Sequence, residues 1–406
     1  MTNREIIDAT DRTQVGVYAR YPVAFVRGKG ARLWDADGKA YLDFFTGLAV
    51  NNLGHAHPRV VAAIREQSEK LLHASNVYYN EPAARLGTLL TDHSFAERVF
   101  FCNSGAEANE AAIKLARKWG KRHRDGAYAI ISAEHAFHGR TLATVTATGK
   151  ENYTRSFTPL PDGFPHVPFN DMDALERAVD ATTAAVLLEP IQGEGGVHVA
   201  TENYLRDVRD FCRDKNLLFM VDEVQTGVGR LGTLWGFERW GVEPDVMTLA
   251  KGLGGGVPIG AVLANESAAV FEPGDHGSTF GGNPLMCAVA YDVVRYILDN
   301  DVLGNVNRVG GVLKRGMEHM AAEQPLIQSV RGEGLLLAIE LTVEHAPDVV
   351  RLGHDEGVLL NATGPTTIRL APPLTLTEAE AKEGLAKLRR ALDRLDVPEL
   401  TQPAAS

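Results

Sequence analysis

Two kinds of apolar pattern alternate along the middle of this chain. Five short runs are apolar almost without interruption: Arg98–Phe101, Ala127–Ser132, Ala184–Leu188, Leu217–Val221 and Val246–Ala250. Between them lie stretches whose apolar residues recur every three or four positions, over 109–119, 173–179 and 204–215. Uninterrupted runs predict strands buried on both faces, and their alternation with helices predicts an α/β class with a mainly parallel sheet. The flanks read differently. Residues 1–20 predict a helix and a loop, and 21–45 predict three short strands separated by glycine turns, a small antiparallel meander. Residues 59–72 predict a helix. Beyond about residue 287 helical patterns dominate, with strands expected over 329–341 and 366–370. The expected organisation is an N-terminal segment, 1–50, packing with a small α+β C-terminal domain, 291–406, and a large domain, 51–290, between them.

Composition narrows the function classes. The 406 residues are enough for two domains, and 45% hydrophobic with 23% charged content is ordinary for a globular chain. A net charge of −11 argues against nucleic acid or an anionic membrane as partner. Three cysteines without paired spacing fit a reducing compartment rather than a disulfide framework or a zinc ribbon. The polar N-terminus does not read as a signal peptide and no apolar run reaches a membrane span, so a cytoplasmic location is expected. His55 and His57 share a loop, but no third metal ligand is evident beside them, and a structural loop is the better reading.

Ligands of open α/β sheets bind beyond the carboxyl ends of the strands. Each predicted strand delivers polar residues there. Cys102-Asn-Ser-Gly-Ala-Glu107 follows the first, and Ala133-Glu-His-Ala-Phe-His-Gly-Arg-Thr141 the second. Glu189-Pro-Ile-Gln-Gly-Glu194, Asp222-Glu-Val-Gln225 and Lys251-Gly-Leu-Gly-Gly-Gly256 follow the others. A lysine at the mouth of a buried strand is desolvated. Its neutral amine is a nucleophile toward carbonyls and suits an aldehyde cofactor such as pyridoxal phosphate; the alternative is a solvated surface lysine.

Asp222 follows a wholly apolar strand and needs a partner. That partner is either a protonated ring nitrogen or a salt bridge to Arg230 or a neighbour. Ser104-Gly-Ala106 opens a helix whose N-terminal N–H groups suit a phosphate, although a plain capping box of Ser104 and Glu107 explains the same residues. Phe137 and His138 precede Arg140. The aromatic suits stacking on a ring, and the guanidinium suits a carboxylate. Glu194 and Arg369 are far apart in sequence, and nothing local pairs them. No GxGxxG or Walker sequence follows a strand, which argues against a nucleotide site.

Six motifs in order resemble the class III (subgroup II) aminotransferases: Asn103–Ala111, Phe137–Thr141, Glu189–Gly196, Asp222–Arg230, Leu249–Gly256 and His276–Pro284. The resemblance runs from about Tyr18 to Pro373. It implies fold type I of the pyridoxal-phosphate enzymes and a homodimer with composite active sites. It implies that Lys251 holds the cofactor covalently and acts as base, and that Asp222 pairs with the ring nitrogen. Gln225 and Val224 would lie at the ring, Phe137 would stack on it with His138 beside it, and Ser104, Gly105 and Ala106 would hold the phosphate. Thr279 would reach the phosphate across the dimer, with Ser278 near the substrate. Arg140 would bind the substrate α-carboxylate, and Tyr18 resembles a pocket tyrosine. Glu194 and Arg369 resemble a switch pair: Glu194 masks Arg369 until a second carboxylate arrives, with Glu189 supporting.

Within the family, Ser75-Asn-Val77, Asn80-Glu-Pro-Ala83 and His276-Gly-Ser-Thr279 resemble the branch that acts on acetylornithine, with 2-oxoglutarate as acceptor. The ornithine branch shares almost every motif but carries a tyrosine where Leu48 stands, a residue that helps recognise a free α-amino group. Succinylornithine, N-succinyldiaminopimelate and 4-aminobutyrate are the other donors open to this family. An aminomutase is disfavoured by the presence of both Glu194 and Arg369. A non-catalytic binding protein is disfavoured by Lys251 and Asp222.

Overall fold

The computed structural model describes residues 1–396. Its centre is a seven-stranded sheet. In spatial order the strands are Arg98–Cys102, Gly260–Ala264, Val246–Leu249, Leu218–Asp222, Thr183–Leu188, Ala129–Ala133 and His166–Val167. All five expected strands are present. Alternate residues of each strand enter opposite cores: Val186, Leu188, Phe219, Val221, Met247 and Leu249 face one, and Ala185, Leu187, Leu218, Met220 and Val246 face the other. Burial on both faces is the physical cause of the uninterrupted apolar runs. The helix Gly105–His123 covers the second face with Ala108, Ala111, Ala112, Leu115, Ala116 and Trp119.

Two expectations need correcting. Gly260–Ala264, not expected as a strand, lies in the sheet antiparallel to both neighbours, whereas the remaining pairings are parallel. The single strand expected over 329–341 is a hairpin, Ile327–Glu333 and Leu336–Leu341. Its turn includes Gly334 at φ +55, where a Cβ would lie 2.6 Å from the main-chain carbon of Leu231. Only glycine tolerates both the conformation and that approach.

The N-terminal strands Phe25–Lys29, Arg32–Asp35 and Ala40–Asp43 form the expected meander, and Ala40–Asp43 continues in parallel to Val358–Leu359. The two ends of the chain therefore share a sheet. Thr367–Leu370 pairs with Leu336–Leu341 in a second small sheet, which places Arg369 on a fixed element facing the large one. Buried Arg230 joins the parts by donating to the carbonyls of Leu335 and Pro372 and to Asn52 Oδ1. It is therefore not the partner of Asp222. Among the described residues, no helix is long and apolar enough to cross a membrane.

Candidate active site

A cleft of about 430 Å³ opens at the carboxyl ends of the parallel strands. Its walls include Ser104, Gly105, Ala106, Phe137, His138, Arg140, Asp222, Val224 and Lys251. The strand Val246–Leu249 ends two residues before Lys251, whose own φ is +34, and the chain then enters a tight 3₁₀ turn over Lys251–Leu253. A non-glycine residue in that region is strained and is held by its surroundings. Gly252 explains part of this, since a Cβ there would lie 2.1 Å from Asn52 Nδ2. Burial pushes the Lys251 amine well below the ordinary lysine value, with Arg369 adding to the effect and Glu194, Asp222 and Glu189 opposing it.

Opposite stands a hydrogen-bonded chain of buried polar groups. Asp222, 3% exposed, accepts from His138 Nδ1 at 2.8 Å and Asn109 Nδ2 at 2.7 Å on one oxygen, and from the Val224 N–H at 3.0 Å on the other. Thr248 Oγ1 in turn donates to Asn109 Oδ1 at 2.8 Å. Burial pushes the Asp222 carboxyl up, but these bonds, led by His138, outweigh it and hold it below the ordinary range. The converse holds for His138: burial opposes its charge, and Asp222 more than restores it. An ionised carboxylate at the floor of the cleft is therefore fixed from three sides.

A rim beyond these lining residues belongs to Glu194 and Arg369, both of which act on the Lys251 amine. Their side chains meet at 2.6 Å, and Arg369 also donates to Gly193 O, Gln225 Oε1 and Asn361 Oδ1. Gln225 Nε2 donates to Glu194 Oε1 at 3.2 Å. Burial raises the Glu194 carboxyl, but Arg369 and Lys251 bring it down to about 2. Glu189 accepts from the Phe137 N–H at 3.1 Å, and burial pushes it up to about 7. Arg140 lies over the Tyr153 ring, 3.7 Å from its centroid, and 5.6 Å from that of Phe137.

A phosphorylated pyridine aldehyde fits these residues. Ser104 Oγ accepts from the Glu107 N–H, but Glu107 Oε2 turns to Asn103 rather than closing a capping box on Ser104. The N–H groups of Gly105 and Ala106, at the first helical positions, have no intrahelical acceptor and lie at the cleft, where an anion suits them. His138 Nε2 is a buried nitrogen without a partner, and the fixed Asp222 carboxylate suits a ring cation.

Not every expected residue enters the cleft. Ser278 Oγ accepts from Asn103 Nδ2 at 3.0 Å, and Thr279 is exposed on the same loop. Tyr18 is 70% exposed, with Arg20 over its ring. His55 binds Asp43 at 2.6 Å, while His57 packs on Tyr296. Leu48 lies in a turn, Thr46–Ala49, whose four residues all have positive φ. Val50, just beyond that turn, lines the cleft. Sequence reasoning passed over Asn109, Lys150, Tyr153 and Thr248. Of these only Asn109 carries a signal, a polar residue at a buried position of an otherwise apolar helix face.

The family profile described as Aminotransferase class-III matches residues 15–392. An acetylornithine aminotransferase of Caldanaerobacter subterraneus is 48% identical over 93% of this chain and 96% of its own length. Among solved structures, an ornithine aminotransferase from Toxoplasma gondii superposes with a TM-score of 0.93 at 35% identity, covering 96% of this chain and 95% of that one. An acetylornithine aminotransferase from Elizabethkingia anophelis gives 0.87 at 35% identity, covering 97% and 100%.

Proposed function

The chain belongs to the class-III aminotransferases, which work with pyridoxal phosphate, and from that premise we propose that it moves the δ-amino group of N2-acetyl-L-ornithine to 2-oxoglutarate. The products are N-acetyl-L-glutamate 5-semialdehyde and L-glutamate, and the role is a step of arginine biosynthesis. The observation that carries the reading is half-buried Lys251 sharing a cleft with fixed Asp222, with the Glu194–Arg369 pair close enough for both charges to act on the lysine.

Bound pyridoxal phosphate supplies an aldehyde to receive the amino group and a ring to take up the electrons of a broken C–H bond. The rest is done by the chain. Lys251 Nζ, whose charge burial disfavours, would hold the cofactor's aldehyde carbon and would serve as the base that moves a proton from the donor's δ-carbon. Asp222, steadied by His138 and Asn109, would hold positive charge at the ring nitrogen. The Gly105 and Ala106 N–H groups would hold the phosphate, and Phe137 would supply an aromatic face to the ring. Arg140, braced on Tyr153, receives the α-carboxylate of the donor. Arg369 stays covered by Glu194 until the second carboxylate of 2-oxoglutarate displaces it. One site thereby serves a monocarboxylate and a dicarboxylate in turn.

The name carried by the 48% identical relative supports the acetylated donor. Leu48 supports it too, because an apolar side chain there offers nothing to a charged α-amino group. Ornithine itself is the second reading, favoured by the likeness to the Toxoplasma structure. Rapid mixing of holoenzyme with each donor, followed by the cofactor's visible absorbance, decides between them. Faster conversion with acetylornithine is expected. Faster conversion with ornithine would move the donor assignment and leave Lys251 and Asp222 in place.

The site is further proposed to be completed by a second copy of the chain in the cytoplasm. Asn76 Nδ2 ties the 73–80 loop to the carbonyls of Ser278 and Gly281, and these joined loops expose Val77, Tyr78, Tyr79 and Phe280. A covered aromatic face of this kind would carry Ser278 and Thr279 toward the neighbouring cleft. We propose the division into 1–50, 51–290 and 291–406, with the cleft lined by the large part and by Val50 of the N-terminal segment.

A further inference from the structure

Lys150, beside Glu194 and Arg140, is a charged residue that the scheme above leaves without a task. It follows Gly149, which ends the helix Leu142–Thr148 in left-handed conformation. Its Nζ donates to the main-chain carbonyl of Glu194 at 3.1 Å. The side chain is partly buried, and burial pushes its amine below the ordinary lysine value. The charged groups acting on it are Glu189 and Glu194, which favour its cation, and Arg140 and Arg369, which oppose it. Yet among the described residues no carboxylate is ion-paired with it. The Glu194 carboxylate is on Arg369, and that of Glu189 is on the Phe137 N–H. A partly buried cation without a counter-ion thus stands beside a carboxylate that must move.

The exchange at Arg369 makes the need explicit. When a dicarboxylate takes Arg369, the Glu194 carboxylate loses its partner in a largely desolvated place, and an uncompensated charge there weakens ligand binding directly. Lys251 is committed to the cofactor and the moving proton, so it is not a resting counter-ion. Lys150 already holds the main-chain oxygen of Glu194 and has two further donors. To use it, the Glu194 side chain must rotate its carboxylate from Arg369 toward that ammonium while the backbone stays fixed.

We propose that Lys150 is the second docking position of the Glu194 carboxylate, occupied when a dicarboxylate holds Arg369. The inference rests on the Glu194–Arg369 exchange proposed above. It makes Lys150 a positioning residue that sets how readily Arg369 is uncovered.

Calorimetric titration of holoenzyme tests this with glutarate, a dicarboxylate that cannot accept an amino group, and pentanoate, its monocarboxylate counterpart. Lys150→Met is expected to weaken glutarate binding at least about tenfold and to alter pentanoate binding by no more than about twofold, with Lys150→Arg restoring most of the loss. In a Glu194→Gln background the same Lys150→Met change should have no effect on glutarate, because no charge then needs docking. Equal weakening of both ligands would overturn the proposal, as would no weakening of either. Persistence of the effect in the Glu194→Gln background would overturn it too, by making Lys150 a direct ligand contact. Arg369→Gln serves as the control on the premise. If that change leaves glutarate binding intact, the exchange itself falls. If it weakens glutarate while Lys150→Met does not, only the role of Lys150 falls.

Discussion

The floor and the rim of the cleft each hold a carboxylate against a basic partner, yet they are built for opposite purposes. At the floor, both Asp222 and His138 are almost completely enclosed, and Asn109 and Thr248 extend the chain of bonds into the sheet. Neither partner has anywhere to go. At the rim, Arg369 is 2% exposed but Glu194 is 23% exposed. Arg369 is pinned by Gly193, Gln225 and Asn361 as well, whereas the Glu194 carboxylate has only Arg369 and a longer bond from Gln225. One member is fixed and the other can leave. A symmetric enclosure makes a permanent charge, and an asymmetric one makes an exchangeable one.

The comparison can be broken by substitution. Lys251→Ala should abolish turnover with any donor, and retained conversion of acetylornithine would remove the assignment altogether. Asp222→Asn should slow both half-reactions alike, by roughly a hundredfold or more, since a preorganised charge is lost from a site both share. Arg369→Gln should act on one side only. The 2-oxoglutarate half-reaction should lose about a hundredfold in kcat/KM while the acetylornithine half-reaction changes little. Equal losses in the two halves would mean that the rim is as fixed as the floor. Glu194→Gln should have the smallest kinetic effect and the opposite sign, with a severalfold lower KM for 2-oxoglutarate because Arg369 is no longer masked.

A pH series sharpens the same contrast. Glu189 and Glu223 are each raised by burial to about 7 from 4.5, so the folded chain keeps protons there that the unfolded chain has already released. Their contribution to stability is present below pH 4.5 and is lost as pH rises through about 7. Glu194, lowered to about 2, behaves inversely: its contribution is present above pH 4.5 and is lost as pH falls toward 2. Melting temperatures should show Glu189→Gln flattening the decline between 4.5 and 7, and Glu194→Gln flattening the acid limb only. If Glu189→Gln leaves the upper slope unchanged, its carboxyl is not held protonated.

Much of this was legible in the sequence because strand ends are legible. Apolar runs place their own termini, so Lys251, Asp222 and Glu189 fall on one rim before any coordinates are known. The pairing of Glu194 with Arg369 came only from the family resemblance; no local spacing gives it, because the two lie 175 positions apart. The direction of Gly260–Ala264 was hidden because an apolar run has no polarity, and the glycines and Pro258 before it read as loop. Lys150 was invisible for a different reason. Its importance lies in which carbonyl its ammonium meets, and no spacing rule reaches that. Ser278, Thr279 and Tyr18, carried over by likeness to a family, lie outside the cleft of the single chain.

The lone antiparallel strand also bears on how the chain finds its fold. Val246–Leu249 and Gly260–Ala264 pair as neighbours along the sequence, joined by residues 250–259, whereas each parallel pairing waits for a long crossover. Closing so short a loop costs little chain entropy, and local pairings form before distant ones. The segment that carries Lys251 is therefore able to zip into a hairpin ahead of the sheet it will join. Its reactive residue is placed on a locally nucleated element, and the rest of the active site assembles around it.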